Sequence, residues 1–75
     1  MSVAHANYVL DLGHLVAELA LEAKRERDES SEKFSQGRLM AYHEIVSLMT
    51  QQAHAFQIPL AEVGLNEIDA DRDLL

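Results

Sequence analysis

The sequence contains no cysteine and no tryptophan, and it has only one proline and three glycines in 75 residues. Without cysteine, the chain forms neither disulfides nor thiolate zinc sites, which support many small domains. The lack of cysteine also fits the reducing cytoplasm, where disulfides are rare, and we expect this chain to be cytoplasmic. A domain of this size buries only about 60% of the surface of its unfolded chain. Self-association is then the favoured way to enlarge the core, and we expect a homodimer.

Basic residues are also few. Six Lys and Arg residues stand against 13 Asp and Glu residues, which gives a formal net charge of −7. Nucleic acids and anionic membranes attract cationic surfaces, so we expect neither as the main partner. The apolar N-terminal stretch has no basic leader and carries Asp11, His14 and Glu18 at helical spacing. It therefore predicts neither a signal peptide nor a membrane span.

The sequence does contain a long amphipathic stretch over residues 39–56. Its apolar side chains recur at alternating steps of three and four, which predicts a helix. They are Leu39, Tyr42, Val46, Met49, Ala53 and Phe56. Ala41, Ile45 and Leu48 widen this face to roughly 160° of arc. A face this broad is expected to cover both another helix of the same chain and a second subunit.

A second apolar pattern predicts helix 1 over about residues 5–28. Its apolar seam is Tyr8, Leu12, Leu15 and Leu19, broadened by Val9, Val16, Ala20 and Ala23. Asn7 is the expected N-cap, with Ser2 as the alternative.

The ten residues 24–33, KRERDESSEK, include no apolar side chain, so no buried seam crosses them. We expect a bend near residues 28–31 and a second helix over about 31–57. One continuous helix is the alternative, because neither glycine nor proline marks the bend. In the hairpin Ala23 would face Gly37, where the missing side chain allows the helices to approach closely.

Pro59 ends the second helix, because the residue before a proline avoids the helical region. Residues 59–64 are expected to form one further turn, with Gly64 as its left-handed stop. The apolar residues Leu60, Val63, Leu65 and Ile68 are available to fold back over the open end of the bundle. The acidic tail, residues 66–75, is expected to be mobile and solvated. Docking of the tail on a basic protein partner, or on the hairpin tip of a second subunit, is the alternative.

Together these patterns predict one all-α domain over residues 1–75. The domain is an antiparallel helical hairpin with a short C-terminal turn, dimerising into a four-helix bundle. Its hairpin and dimer interface is predicted to comprise Tyr8, Leu12, Leu15, Leu19, Leu39, Tyr42, Ile45, Val46, Met49 and Phe56. We expect a non-catalytic interaction protein, such as an adaptor, an inhibitor or a chaperone-like protein, without cofactor or metal.

An alternative function comes from the heptapeptide that begins at His43, HEIVSLM. It resembles the phospho-acceptor box of sensor histidine kinases, whose dimerisation domains are helical hairpins that pair into four-helix bundles. The resemblance implies a histidine phosphotransfer module with His43 as phospho-acceptor. Val46 and Leu48 replace the basic residue and the proline of that box, which here lies on the second helix instead of the first.

A weaker alternative is a metal site on helix 1. Asp11, His14 and Glu18 share one face of that helix, and carboxylate–histidine sets of this kind bind metals inside helical bundles. The second helix has no matching pair, so a solvated polar stripe is the favoured interpretation.

Overall fold

The computed structural model describes residues 2–30 and 32–75. It consists of α1 (Val3–Glu29), α2 (Lys33–Ala55), a 3-10 turn (Leu60–Val63) and α3 (Ala70–Leu74), and the described residues form no strand. The two long helices pack against each other as an antiparallel hairpin. The predicted all-α hairpin is therefore confirmed, and the alternative of one continuous helix is wrong. Residue 31, where the second helix was expected to begin, lies outside the described residues.

The N-cap of α1 is Ser2, whose hydroxyl oxygen accepts the backbone N–H of His5 at 3.2 Å. The prediction of Asn7 is wrong, because Asn7 lies inside the helix. Ala4 and Ala6 have a high helix propensity, so the helix extends back to the first side chain that can cap it.

The C-terminal segment (residues 60–75) packs along one side of the hairpin. Leu65, Ile68 and Leu74 from this segment are buried in the core beside Val46 of α2. The Lys24 ammonium group, near the bend, donates a hydrogen bond to the Leu75 carbonyl at 2.9 Å. The prediction of a mobile tail over residues 66–75 is wrong, because Ile68 and Leu74 attach its acidic residues to the core, whereas Leu65 and Ile68 do fold back on the hairpin as the sequence indicated.

Two glycines allow the C-terminal segment to lie directly on α1. Gly64 ends the 3-10 turn with a φ of 74°, so the predicted left-handed stop is confirmed. A Cβ atom added to Gly64 would lie 2.5 Å from the Leu10 carbonyl oxygen, and one added to Gly13 would overlap the Val63 carbonyl oxygen. Neither position has space for a side chain.

The close approach predicted at Gly37 is wrong, because a Cβ atom added there would meet nothing within 4 Å. The buried residues of α2 near the bend are Ser35 and Leu39. At about 100° per residue, Gly37 lies on nearly the opposite side of the helix from both.

No described helix is both long and apolar enough to cross a bilayer.

Candidate interaction surface

The side of the hairpin opposite the C-terminal segment carries two rows of exposed apolar side chains, here called the apolar face. The row on α1 consists of Tyr8, Leu12, Leu15 and Leu19, and the row on α2 consists of Phe34, Ile45, Leu48 and Phe56. Their exposed fractions run from 41% for Leu12 to 75% for Phe34. No part of the described chain covers this face.

An ion pair shows that the two rows lie on the same side of the molecule. The Arg38 guanidinium group and the Glu26 carboxylate are 2.6 Å apart and connect α2 to α1. At 100° per residue, Glu26 lies within about 40° of every member of the α1 row. Arg38 likewise lies within about 40° of Ile45 and Phe56. The rows therefore flank a single surface.

The ten residues of the predicted hairpin and dimer interface separate into two groups. Leu39 and Val46 are buried inside the hairpin, and Tyr42 and Met49 are half-buried beside them. The other six belong to the apolar face and are exposed to solvent: Tyr8, Leu12, Leu15, Leu19, Ile45 and Phe56.

Small residues of α1, not its leucines, fill the contact between α1, α2 and the C-terminal segment. Gly13, Ala20 and Ala23 are buried, and Val16 and Ala17 pack against the core. The apolar periodicity had placed Val16, Ala20 and Ala23 only at the edge of the seam. Small side chains on α1 allow both α2 and the C-terminal segment to approach its backbone closely. The longer leucines of α1 are therefore directed outward.

The surface area and the shape of the chain both fit an uncovered face. A compact monomer of 8.4 kDa is expected to expose about 4,600 Å², whereas this chain exposes 5347 Å². The excess is close to the roughly 800 Å² that one partner contributes to a standard protein interface. The radius of gyration is 13.1 Å, compared with about 11 Å for a compact chain of this length.

His43 lies on the opposite side, under the C-terminal segment. Its Nε2 atom is 2.9 Å from an Asp71 carboxylate oxygen, and 24% of its side chain is exposed. A phospho-acceptor needs an accessible imidazole with a carboxylate that takes up its proton. The carboxylate is present, but it occupies Nε2 and connects the segment to α2. Phosphotransfer by His43 stays a prediction, and the geometry favours a structural role.

The polar stripe of α1 does not form a metal site. Among the described residues, no three His, Asp or Glu side chains come close enough together to hold a metal ion. His14 and Glu18 instead line a shallow pocket of about 230 Å³ together with Gly64 and Ile68. The weaker metal hypothesis for Asp11, His14 and Glu18 is therefore not supported.

The net charge is unevenly distributed along the chain. The hairpin tip (residues 22–38) contains five basic and five acidic residues and is neutral. The remaining chain carries eight acidic residues and one basic residue, so it holds the entire net charge of −7. Glu62, Glu67 and Asp69 of the C-terminal segment are exposed acidic side chains on the side opposite the apolar face.

Asp73 is held in the ionised state by its neighbours. A hydrogen bond from the Arg72 side chain, followed by one from the Asp69 backbone N–H, lowers the pKa of Asp73 to about 2. The contribution of this carboxylate to stability is present above the ordinary carboxyl pKa and is lost as the pH falls through about 2.

No family model matches this sequence, and neither the curated proteins nor the solved structures include a chain that matches it. The apolar face and the distribution of charge are therefore the features that indicate function.

Proposed function

We propose that this chain is a small, non-catalytic interaction protein that works as a homodimer. Two apolar faces pack together into a four-helix bundle, and the acidic C-terminal segments lie on its two outer sides. The observation that carries the proposal is the double row of exposed apolar side chains. We place the dimer in the cytoplasm, with which a chain that uses no disulfide is compatible.

The apolar face provides enough free energy for association. Burying an exposed Leu, Ile or Phe side chain fully contributes about 1.5–3 kcal/mol, and these side chains are already about half covered. Two copies contribute sixteen exposed side chains, fourteen of them Leu, Ile or Phe and two of them Tyr, and roughly 15 kcal/mol before the costs of association, which are estimated at about 4–15 kcal/mol. A dissociation constant in the micromolar range or below requires about 8 kcal/mol, which this balance leaves when the cost lies near the lower end of that range.

A second copy is the occupant that fits this face best. The charged residues beside the apolar face, Glu26 and Arg38, already form an ion pair with each other within one chain, so they do not require a charged partner. When two identical faces pack about a two-fold axis, each face covers the other, and no apolar face stays exposed in the dimer.

Replacing Leu15 and Ile45 together by glutamate is expected to convert the dimer into a monomer. Both side chains lie on the apolar face, and the double substitution would place four unpaired carboxylates in the interface of two subunits. Sedimentation equilibrium at micromolar concentration measures the mass of each variant.

The matched control for this experiment is Leu21→Glu. Leu21 is 39% exposed, and it lies on α1 but outside the apolar face. This variant is expected to stay dimeric. A wild-type chain that is monomeric and still unfolds cooperatively would contradict the proposal, as would equal dissociation of both glutamate variants.

The outer sides of the dimer are proposed to bind a basic protein partner. Glu62, Glu67 and Asp69 are exposed on the C-terminal segment, and their charge is not balanced by nearby basic residues, apart from Arg72. Arg72 already binds Asp73 at 2.7 Å. The two acidic surfaces of one dimer would engage two basic sites and raise the overall affinity through multivalency.

The double substitution Glu62→Gln and Glu67→Gln is expected to weaken binding of a lysine-rich peptide about three- to tenfold. Each exposed ion pair contributes up to about 1 kcal/mol, and salt reduces that contribution. Fluorescence anisotropy at physiological ionic strength gives the affinity. Glu29→Gln with Glu32→Gln is the control, since it changes the net charge equally at the hairpin tip. Equal weakening by both double variants would show that only net charge matters and would contradict a site on the C-terminal segment.

A further inference from the structure

An apolar pocket lies at the open end of the hairpin, where α1 begins and α2 ends. Its volume is about 220 Å³, and its lining is apolar except for Gln52. The apolar lining residues are Val9, Met49, Ala53, Phe56, Ile58 and Val63. Small-molecule sites have volumes of about 300–1,000 Å³. This pocket is smaller and suits one large side chain.

The most exposed member of the apolar face lies at the other end of the molecule. Phe34 is 75% exposed in the first turn of α2, where the aromatic ring has little apolar surface to cover it. Eighteen residues separate Phe34 from Gln52 in the sequence, which corresponds to about 27 Å along the helix. The ring therefore cannot reach the pocket of its own chain.

We infer that the two subunits pack antiparallel, so that Phe34 of each subunit fills the apolar pocket at the open end of the other. This inference rests on the proposed homodimer and specifies its register. A two-fold axis perpendicular to α2 near residue 43 places position 34 of one copy beside position 52 of the other. One contact is then made twice, once at each end of the bundle, as two-fold symmetry requires.

The distribution of charge supports the same register. The antiparallel arrangement places the hairpin tip of one subunit, which contains five of the six basic residues, beside Asp11 and Glu62 near the open end of the other. A parallel arrangement would bring the two open ends and their acidic residues together, and like charges within a Debye length repel each other.

Removing the ring tests the contact itself. Phe34→Ala is expected to raise the dimer dissociation constant at least tenfold, because a buried aromatic anchor is lost from both ends of the interface. Met40→Ala is the control, since Met40 is 64% exposed on α2 outside the apolar face, and its dissociation constant is expected to be unchanged. Equal dissociation constants for wild type and Phe34→Ala would overturn the inference.

A spin label tests the register. The chain has no cysteine, so a nitroxide attached at Lys33→Cys is the only label on the protein. When this variant is mixed with isotope-labelled wild type, the methyl signals of Val9 and Met49 are expected to broaden in the isotope-labelled copy, which carries no nitroxide. Broadening of signals near residue 34 would instead indicate a parallel dimer and overturn this inference while leaving the homodimer intact. Absence of any intermolecular broadening, together with a monomeric mass, would contradict the homodimer itself.

Discussion

Replacing Gly13 by alanine is expected to destabilise the fold severely. The added Cβ atom would overlap the Val63 carbonyl oxygen and lie 2.7 Å from its carbonyl carbon. Both are backbone atoms, so the 3-10 turn must move away from α1 instead of only rotating a side chain. Overpacking typically costs about 1–3 kcal/mol and occasionally more, and a core of this size provides only about 3–5 kcal/mol in total. Urea denaturation followed by circular dichroism measures the change in the free energy of unfolding.

Gly37→Ala is the matched control, and we expect an effect of the opposite sign. A Cβ atom at this position meets nothing within 4 Å, and Gly37 lies inside α2. Glycine in an exposed helix interior costs about 1 kcal/mol relative to alanine, so this variant is expected to be stabilised by up to that amount. If both alanine variants were more stable than the wild type, the close contact between Gly13 and the 3-10 turn would be contradicted.

Gly64 and Gly13 differ in how far their roles could be predicted from the sequence. The left-handed stop at Gly64 is a local property, since a glycine soon after a proline-initiated turn is a recognised signal. The role of Gly13 depends on the backbone of a segment fifty residues further along the chain. A glycine inside an otherwise favourable helix was the available signal, because its cost of about 1 kcal/mol requires a compensating contact.

The apolar periodicity identified both long helices, but it did not identify which side of α1 packs inside the chain. A row of leucines has the same spacing whether it faces a helix of its own chain or a second molecule. Which side of α1 packs inside the chain depends on side-chain volume, because alanines at positions 20 and 23 permit a closer approach of α2 than leucines at positions 15 and 19. The sequence therefore predicted six of the eight residues of the apolar face as contact residues, but it did not separate contacts within the chain from contacts with a second subunit, and it did not predict Phe34.

The C-terminal segment illustrates the same limit. Its acidic composition indicated a solvated tail over residues 66–75, and the apolar residues of the segment show neither a helical nor a strand period. Leu65, Ile68 and Leu74 contribute to the core because the hairpin offers each of them a complementary site, which is a property of the tertiary fold.

Replacing Leu74 by alanine is expected to remove much of the stability of the domain. Leu74 is 1% exposed and is among the largest fully buried side chains of the described residues. Substitution of a buried leucine by alanine costs about 2–5 kcal/mol, because transfer free energy is lost and a cavity remains. That loss is comparable to the total stability expected for a chain of this size. We expect a lower midpoint of thermal unfolding and weaker protection of the amide hydrogens of residues 68–74 against exchange.

Leu75→Ala is the control that distinguishes the effect of burying a side chain from the effect of any substitution in the C-terminal segment. Leu75 is the neighbouring residue and has the same side chain, but it is 67% exposed. Its hydrogen bond with Lys24 uses the backbone carbonyl and survives the substitution. The free energy of unfolding is expected to change by no more than about 0.5 kcal/mol, as is usual for surface positions. If the segment were a solvated tail, the two alanine variants would have the same stability. A difference of about 2 kcal/mol or more between them would establish that the segment stabilises the hairpin through its buried side chains.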